Sequence, residues 1–317
     1  MNPPTPLGYL RGFGPKADVV VALTWGLLAI SVIVVLIVAG LVIGGVWKRR
    51  ARGAQIGEVA PARHGNGMRW LAVGVGVSSI ALLGSLIWTV VVLAAINRPP
   101  TPATLTIEVT GQQWWWKARY LDADPSRVFV TADEIHVPVG QPVRIKLISA
   151  DVIHSFWVPA LTGKTETIPG QTNETWLQAN QPGRFRGQCT EFCGAQHAHM
   201  ALLVVAEPPA DFDAWRDAQL RPATVPQTLA AAARTFEFHC GACHTVRGTA
   251  AGGTVAPDLT HLMSRSIIAG GALPNTIANL AGWIADPQGI KPETRMPTLF
   301  LSGPELQRIV GLLRTLK

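Results

Sequence analysis

The chain has 317 residues, of which 48% are hydrophobic and 15% charged, and its formal net charge at pH 7 is +7. This composition argues against a wholly soluble chain and predicts membrane-spanning segments, and the length accommodates two or three domains. The positive charge is concentrated in one short segment, with no basic surface interleaved with aromatic residues, which argues against nucleic-acid binding.

Two uncharged, apolar runs occupy residues 19–47 and 70–96. Each exceeds the roughly 20 residues that a helix needs to cross the bilayer core. A secretory signal peptide would have a shorter apolar region and a small-residue cleavage site, whereas basic residues follow the first run directly. The pattern therefore predicts a hairpin of two retained transmembrane helices within residues 18–97.

The segment between the two runs is basic. It holds one acid, Glu58, against six cations, which are Lys48, Arg49, Arg50, Arg52, Arg63 and Arg69. Short loops rich in lysine and arginine stay on the cytoplasmic side of a membrane. We therefore expect the N-terminal tail, residues 1–17, and everything after residue 97 to lie on the outer, periplasmic face of a bacterial plasma membrane.

Segments of alternating polarity follow a proline-rich stretch that ends near residue 104. In one of them, three apolar residues share one face and two basic residues the other: Val143, Ile145 and Leu147 against Arg144 and Lys146. This is the period of a half-buried strand. Residues 104–207 are therefore predicted to form a small antiparallel β-sandwich.

One segment of this sandwich, residues 187–200, reads GQCTEFCGAQHAHM and is dense in metal-ligand side chains. Its cysteines, Cys189 and Cys193, could form a disulfide, a zinc clamp, a redox switch or a copper site. Zinc sites seldom use methionine, whereas thiolate, imidazole and thioether groups together favour copper. A mononuclear site would need one cysteine, so the second indicates a second metal ion, with His154 supplied from earlier in the sandwich.

The periodicity becomes helical from about Ala230, after a linker at residues 208–230. The last segment opens with Ser302 and Glu305 in the spacing of a capping box, which predicts a helix N-terminus. Residues 231–317 are therefore predicted to form an all-helical module. Because so small a module has a marginal core of its own, it needs a covalent or metal staple.

The motif CGACH at Cys240–His244 supplies that staple. Two thiols and a following histidine are the attachment motif of c-type haem, in which both sulfurs add to the porphyrin and the histidine binds iron. We expect the motif at the start of a helix. A thioredoxin-type redox pair lacks the histidine, so haem is the favoured interpretation.

Met296 is the candidate for the second axial haem ligand. Met1 and Met68 are excluded by topology, Met200 belongs to the other cluster, and Met263, a turn or two of chain beyond the segment APDLT, is assigned to the core. A histidine and methionine pair suits electron transfer.

The C-terminal module resembles a class I cytochrome c, particularly the kind fused to respiratory oxidases. The similar segments are CGACHT, APDLTHL, NLAGWIADPQGIKPETRMP and the final amphipathic helix, and the resemblance covers residues 231–317. It implies covalent haem attachment through Cys240 and Cys243, with His244 and Met296 as the axial ligands of the iron.

The preceding part of the chain, residues 18–207, resembles subunit II of haem-copper cytochrome c oxidases, which implies a cupredoxin sandwich of Greek-key topology behind two membrane helices. The similar segments are GQQWWWKARY, DVIHSFWVPALTGKTETIPGQTN and GRFRGQCTEFCGAQHAHM. The resemblance implies a binuclear copper A centre in which two cysteines bridge two coppers, two histidines bind one copper each and two weak axial ligands complete the site. These ligands would be Cys189, Cys193, His154, His197, Met200 and the backbone carbonyl of Glu191.

The same resemblance assigns two further roles. Trp114 matches the aromatic residue through which electrons reach the copper site, although tryptophans in a sandwich are mostly packing residues. The Glu191 carboxylate matches a ligand of a magnesium or manganese ion at the contact with the catalytic subunit. The remaining histidines have no motif role and are interpreted as surface or packing residues: His64, His136, His199, His239 and His261.

The resemblance implies the electron-accepting subunit of a caa3-type oxidase, an oxidoreductase and translocase whose oxygen-reducing centre lies in another subunit. Expected partners are subunit I, with haem a and the haem a3–copper B centre, subunit III, membrane lipid, and cytochrome c or a quinol-oxidising complex as electron donor. Fusing donor to acceptor raises their effective concentration, which reduces the need for a strong docking surface. The alternatives are the small subunit of a copper-containing nitric oxide reductase and a membrane-tethered carrier that catalyses nothing.

Overall fold

The computed structural model describes residues 7–49 and 67–317. The chain divides into two compact units: Val19–Arg98, and Pro99–Lys317 together with the described residues before Val19. Most of the basic loop, residues 50–66, lies outside the described residues, and so do Glu58 and His64.

The first unit consists of two long helices, α1 (Pro15–Arg49) and α2 (Gly67–Asn97). They have 35 and 31 residues, and each is long and apolar enough to span a membrane. At 1.5 Å per residue, α1 is roughly 50 Å long, more than the bilayer core of about 30 Å. The helices extend a few residues beyond the predicted apolar runs because the flanking polar residues continue the helical backbone.

The sandwich of the second unit contains two five-stranded sheets, ordered β3-β2-β1-β5-β8 and β4-β10-β9-β6-β7. The strands are β1 (Leu105–Gln112), β2 (Trp115–Leu121), β3 (Phe129–Ala132), β4 (Glu134–Pro138), β5 (Val143–Ser149), β6 (His154–Trp157), β7 (Thr165–Thr167), β8 (Asn173–Leu177), β9 (Gly183–Cys189) and β10 (Ala201–Glu207). The alternating burial of β5 confirms the predicted strand, since its three apolar residues are buried.

The prediction of a purely antiparallel sandwich is wrong at two places. β1 and β5 are parallel neighbours, and so are β4 and β10. Consecutive strands β3 and β4, β4 and β5, and β5 and β6 lie in different sheets. A chain that changes sheets returns beside an earlier strand in either direction, and alternation of polarity within a strand carries no information about that direction.

A helix, α3 (Pro209–Leu220), occupies part of the stretch predicted as linker. Its Phe212 and Trp215 pack against the sandwich, and the Trp215 ring stacks on His136 at 4.1 Å between centroids. The Tyr120 hydroxyl accepts a hydrogen bond from His136 N at 2.7 Å and donates one to His136 O at 2.8 Å. His136 is thus a packing residue, and it ties α3 and the two sheets together.

The C-terminal module is built from α4 (Ala230–Cys240), α5 (Ile277–Ala285), α6 (Pro287–Ile290) and α7 (Gly303–Leu313), with one short hairpin, β11 (Ile267–Ile268) and β12 (Leu273–Pro274). The capping box of Ser302 and Glu305 is confirmed at the start of α7. Leu280, Ile284, Ile309 and Leu313 are buried in one core with α4, whereas Ile277 is 50% exposed.

Tyr120→Phe should lower the free energy of unfolding by about 1–3 kcal/mol, because it leaves the buried His136 N–H without its acceptor. The measurement is denaturant unfolding of the detergent-solubilised protein, followed by near-ultraviolet circular dichroism. Tyr9→Phe is the matched control, since Tyr9 is 58% exposed and Tyr120 only 2%. Equal stability of the two variants would contradict this role of the hydroxyl.

Candidate metal centre

The predicted metal ligands meet at one end of the sandwich. His154 begins β6 and Cys189 ends β9, and these strands are hydrogen-bonded neighbours. Cys193 and His197 lie in the loop from β9 to β10, and Met200 immediately precedes β10. The two ends of this loop are fixed by pairing of β9 with β10, which returns the loop toward Cys189.

The two cysteines lie at the centre of the cluster, and each is close to a different histidine. The Sγ atoms of Cys189 and Cys193 are 3.8 Å apart. His154 Nδ1 lies 4.0 Å from Cys189 Sγ, and His197 Nδ1 lies 3.5 Å from Cys193 Sγ. Both cysteines are buried free thiols. This donor set fits soft metal ions held by two thiolates, with one imidazole on either side.

Two weaker donors complete the cluster. Met200 Sδ lies 3.8 Å from Cys193 Sγ, and the Glu191 carbonyl oxygen lies 3.3 Å from Cys189 Sγ. Met200 is fully buried, whereas the Glu191 residue is exposed. The Glu191 backbone therefore faces the cluster, and its carboxylate is accessible at the surface of the loop.

The electrostatics of the thiols favour a bound cation. Their mutual hydrogen bond lowers the pKa of Cys189 to about 4, while the same bond and burial raise the pKa of Cys193. The pair therefore carries one negative charge at neutral pH in a largely buried site. A metal ion compensates such a charge and deprotonates coordinating thiols outright.

Asp151 orients His154. Its Oδ1 lies 2.8 Å from His154 Nε2, so the Nε2–H donates to the carboxylate and the Nδ1 lone pair faces the cysteines. Metal-binding histidines commonly use the second nitrogen in this way. Gly111 permits the approach, because a Cβ there would lie 2.8 Å from His154 Cδ2. No sequence motif marks Asp151 as part of the site, although it stands only three residues before a predicted ligand.

Trp114 lies in the turn between β1 and β2, where it is 5% exposed. Its indole Nε1–H donates a hydrogen bond to the Cys193 carbonyl at 2.9 Å, and Gln113 Nε2 donates to the same oxygen at 2.8 Å. The indole is thus bonded directly to the backbone of a predicted copper ligand. Packing alone does not require this bond.

An apolar cavity lies beside the same turn, within the same compact unit. It is lined by residues of the haem motif, by the predicted second axial ligand and by the tryptophan turn: Cys240, Cys243, His244, Met296, Trp114 and Trp115. The motif follows the C-terminal end of α4, so its predicted location at the start of a helix is wrong. Backbone hydrogen bonds from Cys243 N and His244 N to Cys240 O form the turn that follows α4.

The side chains around this cavity fit a haem. His244 Nδ1 lies 2.8 Å from the Pro257 carbonyl oxygen, so Nδ1–H donates there and Nε2 keeps a lone pair for iron. Burial lowers the pKa of His244, which favours the neutral, ligating imidazole. Gln288 Nε2 donates to the Met296 carbonyl at 2.7 Å and steadies the loop that carries this methionine.

Arg265 also lines the cavity, and sequence reasoning missed it. Its Nε atom is buried and has no hydrogen-bond partner among the described residues. A carboxylate of a bound porphyrin would meet this need. A solitary arginine in the segment LTHLMSRS gave no signal of this role, because its burial depends on the fold.

Lys291 and Asp133 form a further buried feature beside the tryptophan turn. Burial lowers the pKa of Lys291 to about 8 and raises the pKa of Asp133 to about 6, while the attraction between the two charges opposes both shifts. Both side chains are at most 5% exposed. No motif drew attention to either residue.

Comparison with known proteins supports both sites. The family model of the cytochrome c oxidase subunit II periplasmic domain matches residues 121–207, and that of cytochrome c matches residues 229–317. These matches imply copper in the sandwich and haem in the C-terminal module, in agreement with the thiol and imidazole cluster and with the lined cavity.

Cytochrome c oxidase subunit 2 of Alkalihalophilus pseudofirmus is 38% identical over 70% of this chain, and the match spans 65% of that protein. A probable cytochrome c oxidase subunit 2 of Rickettsia bellii is 31% identical, over 66% of this chain and 84% of that protein. The crystal structure of the periplasmic domain of cytochrome oxidase subunit II of Bradyrhizobium japonicum is 36% identical, over 38% of this chain and 95% of that chain, with a TM-score of 0.34. The chain belongs to the cytochrome c oxidase subunit 2 family.

Cys189→Ser should abolish binding of the copper pair and leave at most one copper ion, because only one cysteine of the central pair then remains. Met200→Leu should retain copper while shifting its reduction potential, because methionine supplies only a weak axial ligand in copper sites of this kind. The measurements are copper content and optical redox titration of the purified full-length protein. Full copper content in Cys189→Ser would show that the ligand assignment is wrong.

Proposed function

We propose that the chain is the electron-accepting subunit of a caa3-type cytochrome c oxidase. Electrons would pass from a covalent haem c to a binuclear copper A centre and then to haem a of subunit I. Oxygen would be reduced to water there, with proton translocation. The chain's own contribution would be to hold the two redox groups on either side of one turn.

One observation carries this proposal: a single turn of the chain borders both sites. Trp114 and Trp115 line the cavity that contains Cys240, Cys243 and His244. The Trp114 indole also donates a hydrogen bond to the Cys193 carbonyl oxygen. Trp114 thus lines the cavity and also contacts the backbone of a predicted copper ligand, which supports Trp114 as the residue through which electrons would arrive.

Four residues of the C-terminal module would hold the haem. Cys240 and Cys243 would bind the porphyrin covalently, and His244 and Met296 would bind its iron. Haem and copper each supply a one-electron carrier when bound.

In the sandwich, Cys189 and Cys193 would bridge two coppers, with His154 and His197 as the terminal ligands. Met200 and the Glu191 carbonyl would complete the copper coordination. The cysteines, His154 and Met200 are each at most 3% exposed, so the protein keeps water away from the copper site. A rigid, dry site changes little when its charge changes, which favours fast electron relay.

The exposed surface of the loop between β9 and β10 favours contact with a partner protein. Phe192 is 77% exposed beside Cys193, and Glu191 is exposed beside it. We infer that this face contacts subunit I, with the Glu191 carboxylate as a magnesium or manganese ligand at the contact. The two apolar helices would anchor the chain in the plasma membrane with the redox domains on the outer face, next to subunits I and III. A cytochrome c or a quinol-oxidising complex would supply the electrons.

Purification of the tagged chain from its native membrane tests the proposal. We expect a large polytopic subunit with haem a to copurify, together with copper, covalent haem and oxygen consumption. Turnover with nitric oxide and a partner lacking haem a would instead support the nitric oxide reductase alternative. A chain that purifies alone, with both cofactors, would support the tethered carrier.

Trp114→Leu should slow electron transfer from haem to copper by on the order of tenfold or more, because it removes the aromatic ring between the two sites. Trp114→Phe should have a smaller effect, since it keeps a ring and loses only the bond to the Cys193 carbonyl. The measurement is optical detection of copper reduction after flash injection of an electron into the haem. Trp47→Phe serves as control, because Trp47 is 71% exposed on α1; a wild-type rate in Trp114→Leu would exclude the assigned route.

A further inference from the structure

Lys291 lies between α6 and Met296, and its side chain is buried against the sandwich, with 2% exposure. Its Nζ donates hydrogen bonds to the carbonyl oxygens of Trp114 at 2.6 Å, His199 at 2.9 Å and Ala269 at 2.9 Å. A lysine ammonium has three protons and no acceptor. All three protons therefore form hydrogen bonds. Two of the acceptors belong to the sandwich, called here the copper domain, and one belongs to the C-terminal module, called here the haem domain.

The bonded carbonyls are not arbitrary positions. Trp114 carries the indole that bonds to Cys193, and His199 directly precedes Met200. Ala269 lies in the turn between β11 and β12 of the haem domain. Lys291 thus connects the loop that leads to Met296 with both segments of the copper domain that approach the metal ligands.

Backbone contacts extend this connection. Ala201 N donates to Gly270 O at 2.8 Å, and Gly270 N donates to Asp133 Oδ2 at 3.2 Å. Gly270 has a positive φ of 67°, and a Cβ there would lie 2.4 Å from Trp114 O and 2.5 Å from Lys291 Nζ. The β11–β12 turn therefore fits against the copper domain only with glycine at this position.

A second pair of contacts lies along the same boundary. Ser266 N donates to Glu134 Oε2 at 2.9 Å, and Glu134 is only 2% exposed. At the other end, Arg295 donates to Asp151 Oδ2 at 3.0 Å, but the Arg295 side chain is 58% exposed. Most of the boundary is thus buried and hydrogen-bonded, while one ion pair at its edge is accessible to salt.

These contacts differ from those of a transient electron-transfer complex. Transient complexes associate through exposed charges, whose attraction is screened beyond about 8 Å at physiological ionic strength. The contacts of Lys291 are instead buried, and salt in the solvent screens buried contacts much less than exposed ones. The contact between the domains is therefore expected to persist at high salt.

We propose that Lys291 is a positioning residue that locks the haem domain onto the Trp114 turn, so that electrons pass to copper from one permanently docked arrangement. This inference rests on the proposed function, because it assigns a cause to the rate of the haem-to-copper step. It predicts that the step needs no domain movement and does not depend on salt.

The test uses the full-length protein with both cofactors bound. After flash injection of an electron into the haem, the wild-type rate of copper reduction should change less than about twofold between low and high salt, from roughly 20 mM to 500 mM. Lys291→Met keeps the length of the side chain and removes its donors, and it should slow the step at least about tenfold. The remaining rate should fall with salt, because the exposed pair of Arg295 and Asp151 then contributes a larger share of the contact between the domains.

Hydrogen exchange supplies a readout that does not depend on electron transfer. In Lys291→Met, backbone amides of residues 112–116 and 266–271 should exchange faster than in wild type, whereas those of β5 should not change. Gly270→Ala should give the same two effects from the other side of the boundary. Lys164→Met is the matched control, because Lys164 is exposed on the sandwich and should behave as wild type.

The outcomes separate this inference from the proposed function. Wild-type haem that never reduces copper would refute the proposed function, even if exchange showed a protected boundary. The proposed role of Lys291 would be refuted if copper reduction is fast in wild type and unchanged in Lys291→Met, with unchanged hydrogen exchange of the backbone amides. If the variants do not fold, a wild-type rate of copper reduction that falls steeply with salt is enough to refute the proposed role of Lys291.

Discussion

The turn between β1 and β2 is hydrogen-bonded on two sides, and the rest of the redox architecture depends on it. Through its indole, Trp114 is bonded to Cys193 of the copper cluster, and through its carbonyl it is bonded to Lys291 of the haem domain. Neither predicted metal site needs this turn for its ligands. The turn instead connects the two predicted sites through hydrogen bonds.

The two predicted sites share one feature, which is a histidine whose second ring nitrogen donates a hydrogen bond to a neighbouring oxygen. His154 donates to Asp151, and His244 donates to Pro257, so each imidazole keeps a lone pair for metal. Such fixed partners cost little rearrangement when a metal gains or loses an electron. Asp151 also accepts from Arg295, one residue before Met296, so the hydrogen-bond partner of His154 contacts the loop that carries the predicted methionine ligand.

Much of this arrangement could be predicted from the sequence because ligand chemistry and periodicity are local. The spacing of cysteines, histidines and methionine in CGACH and in the Cys189–Met200 loop predicts haem attachment and metal binding. The structure brings His154 to that loop as expected. The parallel pairing of β1 with β5 and the helix α3 depend on long-range packing, so alternation of polarity did not reveal them. Lys291 and Asp133 looked like ordinary charged residues, since only the contact between two domains buries them.

The most direct test of the account is an anaerobic reductive titration of the purified full-length chain, counting the electrons taken up per protein. The account predicts one electron for the haem and one for the copper pair, because two thiolate-bridged coppers would share a single added electron. Uptake of a separate electron by each copper ion, or by the haem alone, would contradict a chain built around a haem and a bridged copper pair.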